Sequence, residues 1–151
     1  MFLGLIVASK NGKLLFAYSI VLAWATDIFA YLAGKKIGKH HFSKVSPKKS
    51  IEGCIAGALA ALIFGTIYVA ILSSLNIVSI NGINYLFIAI LSLILSIISQ
   101  IGDFAASCIK RFANIKDYGT ILPGHGGMLD RIDSLIFIAP FLYMIIQFIS
   151  K

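Results

Sequence analysis

Two aspartates stand three residues apart near the C-terminus, Asp130 and Asp133, after the segment Leu122-Pro123-Gly124-His125-Gly126-Gly127. Proline and clustered glycines keep that segment from being regular helix. The apolar run after Asp133 can be helical, so both carboxylates project from one face of a first turn. The helix dipole tolerates acids there, and taken alone such a pair is more often a capping arrangement. Its company changes the reading. A third carboxylate, Asp103, precedes it, and Lys110, Arg111, Lys116 and Arg131 surround the three acids in sequence. Hard oxygen ligands suit Mg²⁺, which takes one or two carboxylates plus substrate phosphates, and the neighbouring cations can balance a polyphosphate. Gly126 and Gly127 would let backbone N–H groups approach an anion. His125 has no second histidine or cysteine at ligand spacing, which argues against zinc. Its two open roles are loop-structuring hydrogen bonds and direct contact with substrate.

Asp103 ends a polar stripe. Ser92, Ser96, Ser99, Asp103 and Ser107 recur at steps of three or four, one face of a helix, with Gln100 and Arg111 flanking it. Ser92 and Ser96 are read as hydrogen bonds between packed helices. Asp103 is read as functional, because an ionised acid within a membrane needs a cationic partner.

The elements that must position these residues are set by hydrophobicity. Of 151 residues, 59% are hydrophobic and 13% charged, against about 45–50% and about 25% in soluble domains; the mean hydropathy is +0.94. The excess lies in long runs, Leu14 to Ala33, Gly53 to Leu75 and Ile83 to Ile101, each near the roughly 20 residues that span a bilayer. A fourth, Ser134 to Ser150, becomes long enough if the preceding turn joins its helix. Met1 to Ser9 is apolar, too short to span and unlike a signal peptide, and reads as the tail of another helix. The expected fold is all-α, a polytopic transmembrane bundle of about four spanning helices plus a partial N-terminal helix, forming one membrane-embedded domain over residues 1–151. Gly53, Gly57, Ala61 and Gly65 form a small-residue stripe for close helix packing, with packing between subunits, hence a homodimer, an open extension. Pro140 is expected to kink the last helix. Cys54 and Cys108 have no paired spacing and imply neither a disulfide framework nor a metal.

Charge sets the topology. Lys35, Lys36, Lys39, Lys44, Lys48 and Lys49 fall in one connection and Lys110, Arg111, Lys116 and Arg131 in the next but one, while Asn76 to Gly82 carries no charge. Alternate connections of a four-helix bundle share a side, and basic loops are cytoplasmic. The net charge of +7 is thereby explained by membrane topology, without nucleic acid. The acids Asp27, Glu52, Asp103, Asp117, Asp130 and Asp133 then all fall in the cytoplasmic half. Asp27 lies about 10 Å inside a helix ending near Gly34, at about 1.5 Å per residue.

The stretch Ser107-Cys108-Ile109-Lys110-Arg111, then Lys116-Asp117, then Leu122 to Asp133 resembles the signature of phosphatidate cytidylyltransferases, the CDP-diacylglycerol synthases. Asp27 to Gly38, and Ser46-Pro47-Lys48-Lys49 with Glu52-Gly53, are similar to the same family, so the resemblance covers nearly the whole chain. It implies transfer of a cytidylyl group from CTP to phosphatidate at the cytoplasmic face of the inner membrane, giving CDP-diacylglycerol and pyrophosphate. It also implies Mg²⁺ held by Asp103, Asp130 and Asp133, the presence of a second cation being left open. Lys110, Arg111 and the pair Lys48 and Lys49 would hold phosphates. Asp27, Ser107, Lys116, Asp117, His125, Gly126, Gly127 and Arg131 would complete the substrate site, among membrane lipids. Asp27 and Asp133 are the candidates for a general base.

The chain departs from the family pattern in three respects. Ala106 stands where an acid usually precedes the signature serine, Ser50 stands where threonine is usual, and several N-terminal helices of the family are expected to be missing. Other readings are a different CTP-dependent lipid enzyme, a metal or proton transporter using the buried acids, or an inactive fragment. A transporter usually shows broken helices near the midplane; here the polar residues gather toward one interface.

Overall fold

A computed structural model describes residues 12–40, 49–77, 84–113, 115 and 129–149, with the side chains of the last segment described over 134–145. Four helices follow one another: α1 (Gly12–Ile37), α2 (Ile51–Ser74), α3 (Tyr85–Phe112) and α4 (Leu129–Ile149). The first three are long and apolar enough to cross a membrane, and α4 adds the apolar stretch Ser134–Ile145. The turn carrying Asp130 and Asp133 does join α4, and the helix runs on through Pro140. The expected N-terminal partial helix lies outside the described residues.

Local chemistry sets the ends. Ser50 caps α2, its hydroxyl accepting from the Gly53 N–H at 3.1 Å, and Asn84 caps α3, accepting from Leu86 N–H at 3.2 Å. After α2, Asn76 takes a left-handed φ of 54°. Its N–H returns to Ser73 O and that of Ile77 to Leu72 O, each at 3.0 Å. This double closure satisfies the last carbonyls, and asparagine tolerates the left-handed position better than a branched residue. Lys35 and Lys36 in the last turn of α1, and Lys110 and Arg111 in that of α3, complement the negative helix ends.

The exterior is apolar. Trp24, Ile28, Ile55, Ile63, Leu86, Ile90 and Phe141 are all exposed, a surface that belongs against lipid. With apolar groups on both sides of each helix, burial from water does not drive assembly; close packing and polar contacts do. Leu22, Leu95, Ile138 and Leu142 fill the centre. Between α1 and α3, the Tyr18 hydroxyl meets Ser92 Oγ at 2.8 Å and the Thr26 hydroxyl meets Ser96 Oγ at 2.8 Å. Bonds of this kind contribute about 0.6 kcal/mol each on average in membranes.

The small-residue stripe is used within the chain. A Cβ on Gly57 would meet Thr26 O at 2.7 Å, and one on Gly65 would meet Leu22 Cδ2 at 2.8 Å. The absent side chains let α1 lie against α2, the most extensive helix pairing in the bundle. The stripe is therefore occupied within the chain, by α1 and, at Gly65, by Ser92 of α3 as well, and lends no support to a subunit interface. The chain is an all-α integral membrane protein.

Candidate active site at the charged end of the bundle

Where α1 and α3 end and α2 begins, a polar cavity of about 280 Å³ opens between the three helices. α1 contributes Asp27, Ala30 and Tyr31; the start of α2 contributes Lys49, Ser50, Gly53 and Cys54; α3 contributes Gln100, Asp103 and Ser107. The spacing explains the convergence. Asp27 and Tyr31 are one turn apart, as are Ser50 and Cys54, and Asp103 and Ser107, so each helix turns one stripe inward.

At its centre the Lys49 ammonium lies 2.5 Å from Asp103 Oδ2. The two side chains are 24% and 31% exposed, so the pair is partly sequestered yet open to whatever fills the cavity. Pairing removes the net charge that would otherwise make an acid at this depth expensive. The cationic partner expected for Asp103 is thus Lys49, which the sequence alone suggested as a phosphate holder. The Ser107 hydroxyl donates to the Asp103 carbonyl at 2.9 Å, and the Gln100 amide donates to Cys54 O at 3.1 Å. The second bond ties α3 to α2 beside the ion pair.

The approach of Lys49 depends on Gly34 and Gly38. A Cβ on Gly34 would stand 2.9 Å from Ser50 Oγ, and one on Gly38 would stand 2.6 Å from it. These two glycines let the residues before α2 pass close to the end of α1. A second tie lies just outside the cavity, where His40 Nδ1 and Glu52 Oε1 are 2.7 Å apart.

Of the site residues expected from sequence, Asp27, Lys49, Asp103 and Ser107 line this one cavity. Lys110 and Arg111 sit in the last turn of α3 beyond it, where the Ile115 N–H returns to Lys110 O at 3.0 Å. Asp130, Arg131 and Asp133 occupy the start of α4, their side chains outside the description. Lys48, Lys116, Asp117, His125, Gly126 and Gly127 lie outside the described residues. Tyr31, Ser50 and Cys54 also line the cavity and are not among the site residues expected from sequence, although Ser50 stands where the family usually has threonine. Tyr31 could have been found from its one-turn spacing to Asp27, and Ser50 as a helix-capping residue; nothing marks Cys54.

Ser92 and Ser96 have the structural role expected of them. Ser99, fully buried, has no hydrogen-bond partner among the described residues. No cluster of three or more metal-ligating side chains occurs among the described residues. The two carboxylates of the cavity are nevertheless the hard donors that a Mg²⁺ sharing its shell with phosphates takes.

A helical membrane protein with a carboxylate- and lysine-lined cavity at one end is the class these features define. The chain belongs to the cytidylyltransferase family, which it matches over residues 1–149. It is 40% identical over 134 residues to the phosphatidate cytidylyltransferase of Bacillus subtilis (strain 168), covering 88% of this chain and 47% of that protein. It is 42% identical over 130 residues to that of Staphylococcus aureus (strain COL), covering 85% and 47%. For the Thermotoga maritima phosphatidate cytidylyltransferase the figures are 39% over 128 residues, 84% and 47%. The chain spans about half the length of these relatives.

Proposed function

We propose that this chain carries the cytidylyl-transfer site of a phosphatidate cytidylyltransferase, converting CTP and phosphatidate to CDP-diacylglycerol and pyrophosphate. The observation that carries the reading is the Lys49–Asp103 pair inside a polar cavity shared with Asp27 and Ser107, in a chain of this family. A phosphate oxygen of the lipid attacks the α-phosphorus of CTP. The bond to the β-phosphate bridging oxygen breaks, and pyrophosphate leaves with that electron pair. A phosphate monoester is already largely ionised near neutral pH, so the step needs no protein nucleophile. The protein's work is positioning and charge balance.

Asp103, with Asp130 and Asp133 at the start of α4, would hold Mg²⁺, which would neutralise the phosphate oxygens and orient the leaving group. Lys49, Lys110 and Arg111 supply cations for phosphates, Lys48 and Lys116 being further candidates. A cavity of about 280 Å³ is near the lower end of small-molecule sites, about 300–1,000 Å³, so it suits phosphate groups better than a whole nucleotide. Asp117, His125, Gly126 and Gly127 are further candidates for contacts to substrate. The site faces the cytoplasm in this reading, the side where CTP is available and the basic connections lie.

The test is formation of CDP-lipid from radiolabelled CTP and phosphatidate in detergent, with and without Mg²⁺. Mg²⁺-dependent product is expected, falling by at least about a hundredfold in Asp130→Asn, as for loss of one strong electrostatic contact to the reacting phosphates. Full activity in that variant would remove the metal assignment. Absence of product from the wild-type chain, alone and supplied with the N-terminal half of a relative, would overturn the function.

A further inference from the structure

A second concavity lies on the outer face of the bundle. Between α2 and α3 runs an apolar groove of about 430 Å³, bounded by Ile55, Ala58 and Leu59 on one side and Leu93, Ile97 and Ile101 on the other. Its residues include Ile55, Leu59, Ile97 and Ile101, all exposed, so it opens on the lipid side. Lys49, Cys54 and Gln100 line both this groove and the polar cavity. The two spaces therefore meet at a shared wall, and that wall carries an ammonium group.

The dimensions are informative. From Leu93 to Phe104 the groove follows α3 for eleven residue steps, about 16 Å at about 1.5 Å each. That is about half of a hydrocarbon core about 30 Å thick, the depth of one leaflet. A long apolar trough of one-leaflet depth with one cation at its polar end matches an amphiphile with a single hydrocarbon chain inside and an anion at the top. A zwitterionic choline headgroup places its own cation near Lys49 and gains less. A phosphate monoester carries roughly −1.5 to −2 charges at neutral pH and gains most.

We propose that the α2/α3 groove seats one acyl chain of a phosphate-monoester lipid, with the phosphate at Lys49 and facing the polar cavity. The assignment rests on the cytidylyltransferase reading in taking that lipid as phosphatidate. Lys49 then serves two partners from one position: its ammonium carries three N–H donors, so it keeps Asp103 while it receives the lipid phosphate.

The test uses the full chain in phosphatidylcholine nanodiscs carrying traces of either phosphatidate or phosphatidylcholine with a diazirine on one acyl chain. After irradiation, labelled residues are mapped by mass spectrometry. Phosphatidate label is expected on residues 54–59 and 93–101, about tenfold above the phosphatidylcholine label, the ratio that about 1.4 kcal/mol of headgroup selectivity gives. Lys49→Gln should bring the two labels level. Ala58→Trp and, from the facing helix, Leu93→Trp should each deplete the groove of label, read in whichever variant keeps the wild-type unfolding midpoint. Equal labelling by both lipids in the wild type would mean ordinary boundary lipid and overturn the proposal. So would label confined to other helices, or none, which is the result if protein covers the groove. CDP-lipid formation assayed alongside separates the two readings: product with label elsewhere overturns the groove alone. Groove label without product, both from the chain alone and with the N-terminal half of a relative supplied, leaves a lipid-phosphate site and overturns the reaction.

Discussion

Asp103 and Lys49 form the contact on which the site's electrostatics turn. Because both side chains are less than a third exposed, neither charge is fully hydrated when its partner is lost. Replacing one member of a fully buried pair costs about 3–5 kcal/mol; cavity water here reduces that to about 1–3 kcal/mol. Lys49→Met and Asp103→Leu should therefore each lower stability by about that amount. The double variant should recover most of the loss, since no orphaned charge remains. Thermal unfolding in detergent checks this, and a double variant as unstable as the sum of the singles would show that the charges do not interact. At this scale the sequence was informative about Asp103, whose depth in an apolar run demanded a partner. It was silent on which cation answers, because a helix period relates residues within α3 and says nothing about the register between α3 and the residues before α2.

At the level of elements, the contact between α1 and α2 depends on side chains that are missing. Gly57 faces backbone at Thr26 O and the Ala30 Cβ, neither of which can swing away as the tip of a long side chain can. Gly57→Ala gains up to about 1 kcal/mol in helix propensity and loses about 1–3 kcal/mol to overpacking, so a net loss of about 1 kcal/mol is expected. Gly57→Leu should separate the helices and lower the unfolding midpoint further, in a detergent melt that leaves the far-UV helix signal of the folded state unchanged. A melt unaffected by leucine would mean that α1 does not pack there. Four-residue spacing of glycine and alanine announced close packing, and the four helices were legible from their apolar runs. The partner of the stripe was not, since small residues accept a neighbouring helix from the same chain or from another copy equally well. The ends were misjudged by a few residues: α1 continues past Gly34 to Ile37, because Lys35 and Lys36 favour a helix C-terminus even though they end the apolar run.

Across the whole molecule, the four antiparallel helices of the described residues divide the bundle into an end rich in charge and one where Lys13, in the first turn of α1, is the charged residue described. The connection after α2 lies at the end away from the Lys49–Asp103 pair. In a chain with Cys54 and Cys108 replaced by alanine, cysteines placed at Lys36 and Arg111 should react with a membrane-impermeant maleimide only in inside-out vesicles. A cysteine at Asn76 should react only in right-side-out ones. The opposite pattern would put the cavity on the outer face and overturn the proposed cytoplasmic placement. Charge bias in the sequence pointed to this arrangement through a general rule about insertion. The cavity's volume and its junction with the α2/α3 groove were beyond such a rule, because they depend on how three helices tilt and pack.

The third helix holds two sets of contacts in phase. Its N-terminal half is bonded to α1 through Ser92 and Ser96, and its C-terminal half presents Asp103 to Lys49, with unbroken helix between them. One residue inserted between Ser96 and Asp103 would turn everything beyond it by about 100° and advance it about 1.5 Å. Either the serines or the aspartate would then face lipid. Length in this stretch is thus a conserved quantity in the physical sense: substitutions there can be absorbed one by one, whereas a change of count cannot.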